Sequence, residues 1–205
     1  MAVSCLMKTM LLLSGGMDSV ALCYWKRPDF CVTIDYGQNS AAGECRAAKQ
    51  VANFLAIPHE VISINCSAIG FGSLQINHRK PPNSRQKVPE SWWPYRNQML
   101  ITIAAARCVA FGVDRLAIGT VAGDQHYCDG RRSFIDAMAM VLKVQEYRIV
   151  LRAPAIALTT EQLIRRSRIP SALLAWAHSC HTAPVACGIC AGCEKSARVW
   201  KSVAG

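Results

Sequence analysis

Apolar and polar positions recur along this chain with two periods that take turns. Residues 10–13 form an unbroken apolar run, too short for a helix and ended by Ser-Gly-Gly, which predicts a buried strand. A helix is expected over residues 19–25, and the apolar run at 30–34 predicts a second strand. From about 42 to 55 the period changes. Cys45, Ala48, Ala52 and Leu55 recur at helical spacing while Arg46, Lys49, Gln50 and Asn53 fall on the other side, giving one apolar stripe and one wet face. Residues 59–64 read as a third strand. Residues 96–110 read as a third helix, apolar almost all round, which suits a central position or an interface between copies. Residues 115–118 complete a fourth strand. The alternation predicts an α/β fold, a parallel doubly wound sheet with helices on both faces.

Two stretches break that rhythm. Residues 65–95 hold three prolines before Trp92, two glycines, four basic residues and the pair Trp92-Trp93, and they read as a long loop, either a mobile lid or an exposed insertion. Further on, Thr159 with Gln162 has the spacing of a capping box opening a helix through Arg166, and Pro170 ends the basic stretch that follows. The expected division is an α/β domain over residues 1–155 and a helical region over 156–205 packed on it, to which the two clusters described below assign nucleotide and metal binding. No repeat or low-complexity tract interrupts either.

The longest apolar runs, at 101–106 and 171–177, are too short to span a bilayer and are flanked by charge, so no membrane partner is expected. Residues 1–13 lead straight into a glycine turn, not a small-residue cleavage site, and the chain reads as cytoplasmic. Its formal charge of +10 asks for an anionic partner. Arg165, Arg166 and Arg168 cluster, and Arg79, Lys80, Arg85 and Lys87 share one segment; nucleic-acid binding or two solvated basic faces would account for them.

Two clusters carry chemistry. Ser14-Gly-Gly-Met-Asp-Ser19 follows the first strand and opens a helix. Gly15 and Gly16 let the backbone turn with φ > 0, bare N–H groups then face an anion, and the serine hydroxyls and helix N-terminus add donors and partial positive charge. No Gly-Lys-Ser/Thr follows, so this is not a Walker A loop, and a triphosphate would be held largely without side-chain cations. The second cluster draws on eleven cysteines, seven scattered and four close together. Cys180, Cys187, Cys190 and Cys193 give C-x6-C-x2-C-x2-C, a spacing that lets four thiolates close a tetrahedron around a structural Zn²⁺. Such a site contributes about −2, leaving a net charge of about +8. An iron–sulfur cluster also takes four cysteines, and His178 or His181 could replace Cys180 as a ligand.

With both clusters read, the loop resembles the pyrophosphatase loop of enzymes that cleave ATP to AMP, and the whole chain resembles the QueC family, the 7-cyano-7-deazaguanine synthases. The resemblance rests on Ser14-Gly-Gly-Met-Asp-Ser19, Asp35-Tyr-Gly-Gln38, Pro94-Tyr-Arg-Asn97, the spaced Asp124, Tyr127 and Asp129, the looser Leu158-Thr-Thr-Glu161, and the closing four-cysteine site. It implies a PP-loop fold, ATP, Mg²⁺ and Zn²⁺ as cofactors, a small-molecule carboxylate and ammonia as substrates, and a homodimer. It implies that Leu13, Ser14, Gly15, Gly16, Met17, Asp18, Ser19, Asp35, Tyr36, Gln38, Arg96 and Asn97 bind the nucleotide. Asp18, Ser19, Arg96, Asp124 and Asp129 would serve catalysis, and Tyr95, Gly119, Asp124, Tyr127 and Asp129 the substrate. The chain departs from the family at Tyr95 (glycine there), Thr160 (lysine), Cys128 (proline) and Gly130 (often cysteine), and in the shortened gap between the first two cysteines. These departures leave open a macromolecular carboxylate, such as a protein C-terminus, as the target of the same chemistry. A tRNA-modifying or RNA-binding role is a further alternative. Cys128, beside His126, also admits an acyl-thioester role.

Overall fold

The computed structural model describes residues 7–75, 88 and 91–203. Five parallel strands, β1 (Thr9–Leu12), β2 (Phe30–Asp35), β3 (His59–Ser63), β4 (Arg115–Ala117) and β5 (Val150–Arg152), lie in the order β3-β2-β1-β4-β5. Helices α1 (Met17–Lys26), α2 (Ala41–Phe54), α3 (Arg96–Phe111), α4 (Arg132–Lys143), α5 (Thr160–Ser167), α6 (Ser171–Leu174) and α7 (Ala191–Val203) cover it. The chain runs outward from β1 to β3 and then restarts on the other side of β1 with β4. The carboxyl ends of β1 and β4 therefore flank a topological switch point, where open parallel sheets leave a crevice for ligands.

The expected α/β fold is present, with strand and helix ends displaced by a residue or two. Period two is visible inside β1: Met10 joins the core on one face of the sheet, and Leu11 and Leu13 join the core on the other. The first core is closed by Leu163, Leu173, Leu174 and Val199 from α5, α6 and α7, so the C-terminal region shares a core with the sheet. The second holds Ile101, Cys108, Ile135, Met138 and Leu151 from α3, α4 and β5.

Several expectations need correction. α4 and β5 were not anticipated: β5 has only three residues, and α4 follows a Gly- and Asp-rich stretch that hides its start. α3 is not buried all round. Ile101, Ala104, Ala105 and Cys108 face the core while Thr102, Ala106 and Ala110 are exposed, because alanine is small enough to face water at little cost. In α2, Cys45 is only half-buried, and Ala47 and Val51 fill the stripe beside Ala48 and Ala52. The 65–95 segment is anchored at both ends, by short 3₁₀ turns at Ser67–Ile69 and Gly72–Leu74 and by Trp93, buried edge-on to Tyr36 at 4.9 Å. Its four basic residues, and with them the lid expectation, lie outside the described residues. The capping box is formed: Gln162 N–H donates to Thr159 Oγ1 (3.2 Å) and Thr159 N–H to Gln162 Oε1 (2.9 Å). Among the described residues no helix is long and apolar enough to cross a membrane.

Candidate functional site

The loop between β1 and α1 is fixed from behind before it meets any ligand. Leu13 N–H donates to Val32 O (2.8 Å), and Leu13 O accepts from Thr33 Oγ1 (2.5 Å), whose oxygen lies 2.7 Å from His59 Nε2. Gly15 has φ +79°, and a Cβ there would meet Glu44 O at 2.4 Å, so only glycine fits. Gly16 caps α1 with extended backbone and no side-chain cap, which leaves the N–H groups of the first turn turned outward. Ser19 Oγ donates to Gly16 O and accepts from Ser14 Oγ, both at 3.0 Å, so the two hydroxyls sit together at the helix start.

These groups line one wall of a cavity of about 590 Å³ at the switch point. Of the residues expected at the site, Ser14, Gly16, Met17, Asp18, Ser19, Tyr36, Arg96, Asn97, Gly119, Asp124, Tyr127 and Asp129 line it. Leu13 and Gly15 lie behind the wall. Asp35 and Gln38 build the turn that presents Tyr36: Asp35 Oδ1 accepts from Gly37 N–H (3.0 Å) and Gln38 Oε1 from Tyr36 N–H (2.9 Å). Tyr95, held with φ +52°, is 77% exposed and does not line the cavity. Cys128 is exposed and also outside it, which removes the geometric basis for a thioester there.

Opposite the Ser14–Ser19 loop, the stretch after β4 folds over the start of α3. Asn97 N–H donates to Asp129 Oδ2 (3.2 Å) and Asn97 Nδ2 to Asp129 O (2.9 Å), which locks the loop to the helix. Arg96 lies 5.6 Å from the centre of the Tyr127 ring, and the Tyr127 hydroxyl hydrogen-bonds Ser91. Burial alone would discourage the Arg96 charge, but Tyr36, Asp129, Tyr127 and Glu44 around it hold the proton more tightly than usual. Asp124 accepts from Val121 N–H (3.1 Å); burial raises its pKa, partly offset by Lys195. At Gly119 a Cβ would come within 3.2 Å of Ser19 N, so β4 and α1 meet closely there.

Sequence reasoning missed three contributors. Glu44, in the first turn of α2, lines the cavity and accepts from Ser40 Oγ and Gln38 Nε2, both at 2.7 Å; burial raises its pKa. Lys195, on α7, donates to Asp18 Oδ2 at 2.9 Å, and its charge is also drawn by Asp124 and Glu161. His178 N–H donates to Gly15 O (2.8 Å), tying the C-terminal segment to the Ser14–Ser19 loop. The Ser40-x-x-x-Glu44 spacing was a readable signal; nothing local points Lys195 or His178 at a loop more than 160 residues away. The other oxygen of Asp18, Oδ1, is buried without a hydrogen-bond partner among the described residues, an open acceptor suited to a cation.

At the far end, the sulfurs of Cys180, Cys187, Cys190 and Cys193 all lie within 4.8 Å of one another. The Cys187–Cys193 and Cys180–Cys190 pairs are 3.9 Å apart, and a tetrahedral zinc tetrathiolate requires about 3.8 Å. The backbone N–H groups of His181 and Cys193 point at Cys190 Sγ (3.4 and 3.5 Å), the outer-sphere support that thiolate ligands use. Thr182 Oγ1 and the backbone N–H groups of Ile189 and Cys190 lower the Cys187 pKa to about 6. His178 Nε2 is engaged with Ala183 O (3.0 Å), and neither histidine belongs to the set.

The family model described as queuosine biosynthesis protein QueC matches residues 8–204. The chain is 29% identical to a 7-cyano-7-deazaguanine synthase of Caldicellulosiruptor bescii, over 96% of this chain and 94% of that one. It is 31% identical to the protein of the same name from Desulforudis audaxviator, over 97% and 99%. Among solved structures it is similar to the U34-tRNA thiolase NcsA from Methanococcus maripaludis with its 4Fe-4S cluster. The TM-score is 0.55 and the identity 14%, over 96% of this chain and 65% of that one, a likeness of fold.

Proposed function

Because the chain belongs to the QueC family of queuosine biosynthesis proteins, we propose that it is an ATP-dependent ligase that turns 7-carboxy-7-deazaguanine into the nitrile. The observation that carries this reading is the convergence of the Ser14–Ser19 loop, Arg96 and the Asp124–Asp129 stretch on one cavity. The substrate carboxylate attacks the α-phosphorus of ATP, expelling pyrophosphate and giving an acyl adenylate. Ammonia adds, sheds a proton and displaces AMP, which leaves with one carboxylate oxygen. The amide oxygen repeats the attack on a second ATP, and loss of AMP and of both protons on nitrogen leaves the nitrile. Both carboxylate oxygens end in AMP, so two ATP are consumed per nitrile.

In this scheme the N–H groups of the α1 first turn and the hydroxyls of Ser14 and Ser19 bind the phosphates. Arg96 neutralises charge at the carboxylate and α-phosphate, held by its contact with Tyr127. Asp124, whose burial raises its proton affinity, accepts the proton from the attacking ammonia. Asp129 holds Asn97 and keeps the wall of the pocket in place. Asp18 Oδ1 is the group that would hold Mg²⁺, which when bound neutralises phosphate charge. The four-cysteine site fits one closed-shell zinc with a structural role; a cubane cluster, with each thiolate on a different iron, would spread the sulfurs further apart.

Purified protein given ATP, Mg²⁺, ammonium and 7-carboxy-7-deazaguanine is expected to release two AMP per nitrile, read by mass spectrometry and AMP quantification. Absence of turnover in protein that still binds ATP would overturn the substrate. The second reading, a carboxylate carried by a macromolecule, draws on Tyr95, which projects into solvent next to Arg96 where the family has glycine. A homodimer is the assembly expected from the family.

A further inference from the structure

The Ser14–Ser19 loop contains no basic residue, yet the pyrophosphate it must hold and release is strongly anionic. Backbone N–H groups and two hydroxyls supply donors but no full positive charge. The structure brings one from the other end of the chain. Lys195 lines the same cavity and places its ammonium 2.9 Å from Asp18 Oδ2, on the first turn of the helix whose N–H groups face the phosphates. Its side chain is 35% exposed against 19% for Asp18, so the lysine is the more accessible member of the pair.

We propose that Lys195 is a phosphate-binding residue, the cation this loop lacks, resting on Asp18 in the empty protein and shared with the β- and γ-phosphates when nucleotide binds. The proposal builds on the nucleotide reading above. A lysine stem has four carbons and freely rotating bonds, so an ammonium already at the loop reaches a neighbouring phosphate oxygen without backbone movement. The backbone that carries it is fixed. Cys190 and Cys193 hold the start of α7, Glu194 N–H donates to Cys190 O (2.9 Å), and Gly192 lies so close to Ser179 that a Cβ would meet its carbonyl oxygen at 1.9 Å. The cysteine knuckle thus does more than hold the fold together: it aims a charge. Asp18 keeps Oδ1 free while Oδ2 holds the ammonium, so the lysine and a cation need not compete for the same atom.

Titration calorimetry with magnesium pyrophosphate and, separately, AMP on the parent protein, Lys195→Gln and Lys195→Arg tests this, with zinc content and melting temperature recorded for each. Loss of a charged hydrogen bond is expected to weaken pyrophosphate about tenfold or more in Lys195→Gln. AMP affinity should stay at the parent value, and Lys195→Arg should recover most of the pyrophosphate affinity. Equal weakening of both ligands, or of neither, would mean that the Asp18–Lys195 pair is only a strut. A parent protein that binds neither ligand would instead remove the nucleotide reading itself. Should Lys195→Gln fold poorly, reductive methylation of the parent protein decides the matter: pyrophosphate but not AMP should protect Lys195, read in its peptide by mass spectrometry, and no protection overturns the proposal.

Discussion

At the scale of single residues, the site depends on short polar contacts around Ser19 and Asp18. Ser19 Oγ is one of the few hydroxyls at the helix start, and Asp18 offers a buried oxygen with no hydrogen-bond partner among the described residues, so Ser19→Ala and Asp18→Asn would remove the proposed phosphate and cation contacts without opening a core cavity. Each is expected to slow adenylation by on the order of a hundredfold with little change in melting temperature. Parent rates of pyrophosphate release in both variants would show that the loop is not the ATP site. Residues of this kind were legible in the sequence because the loop is a contiguous hexapeptide whose geometry is set locally, by the positive φ of Gly15; Gly16, also expected at positive φ, has ordinary extended backbone. His178 and Lys195 were not, since each reaches the cavity only through the fold. Asp35 and Gln38 show the converse: both stand in a motif of the family, yet their side chains support the turn behind Tyr36 instead of facing the cavity.

Elements were legible where their period was long enough to count. α2 was readable from its stripe, and α5 from its cap. α5 packs against α1 and places Leu163 and Ile164 in the core behind the phosphate loop, so its first turn matters to the site. Thr159→Ala removes the acceptor for Gln162 N–H and is expected to cost about 1 kcal/mol, seen as a lower urea midpoint with unchanged slope. An unchanged midpoint would show that the cap adds nothing here. β5, at three residues, carries too few positions for a period to declare itself, whereas β4, equally short, was read at residues 115–118. α4 did carry a readable stripe in Ile135, Met138 and Leu142, at helical spacing, masked by the glycine- and aspartate-rich residues before it. α3 misled in the opposite direction, because a run of alanines looks buried on every side while needing burial on only one.

At the scale of the molecule, the sheet's two faces hold separate cores, and the C-terminal helices complete one of them while carrying the cysteine knuckle. Zinc binding is therefore expected to be folding free energy. Cys193→Ser or chelation should lower both zinc content, from one per chain, and the melting temperature. Normal stability without metal would mean that the thiols pack unaided. The same architecture sets an order in time. In the loop at residues 14–19, Gly15 and Asp18 are synthesised more than 160 residues ahead of their respective partners, the His178 N–H and the Lys195 ammonium. Until residues 178–195 have been made the loop lacks both long-range contacts, so a chain truncated before His178 is expected to carry an unfinished cavity wall.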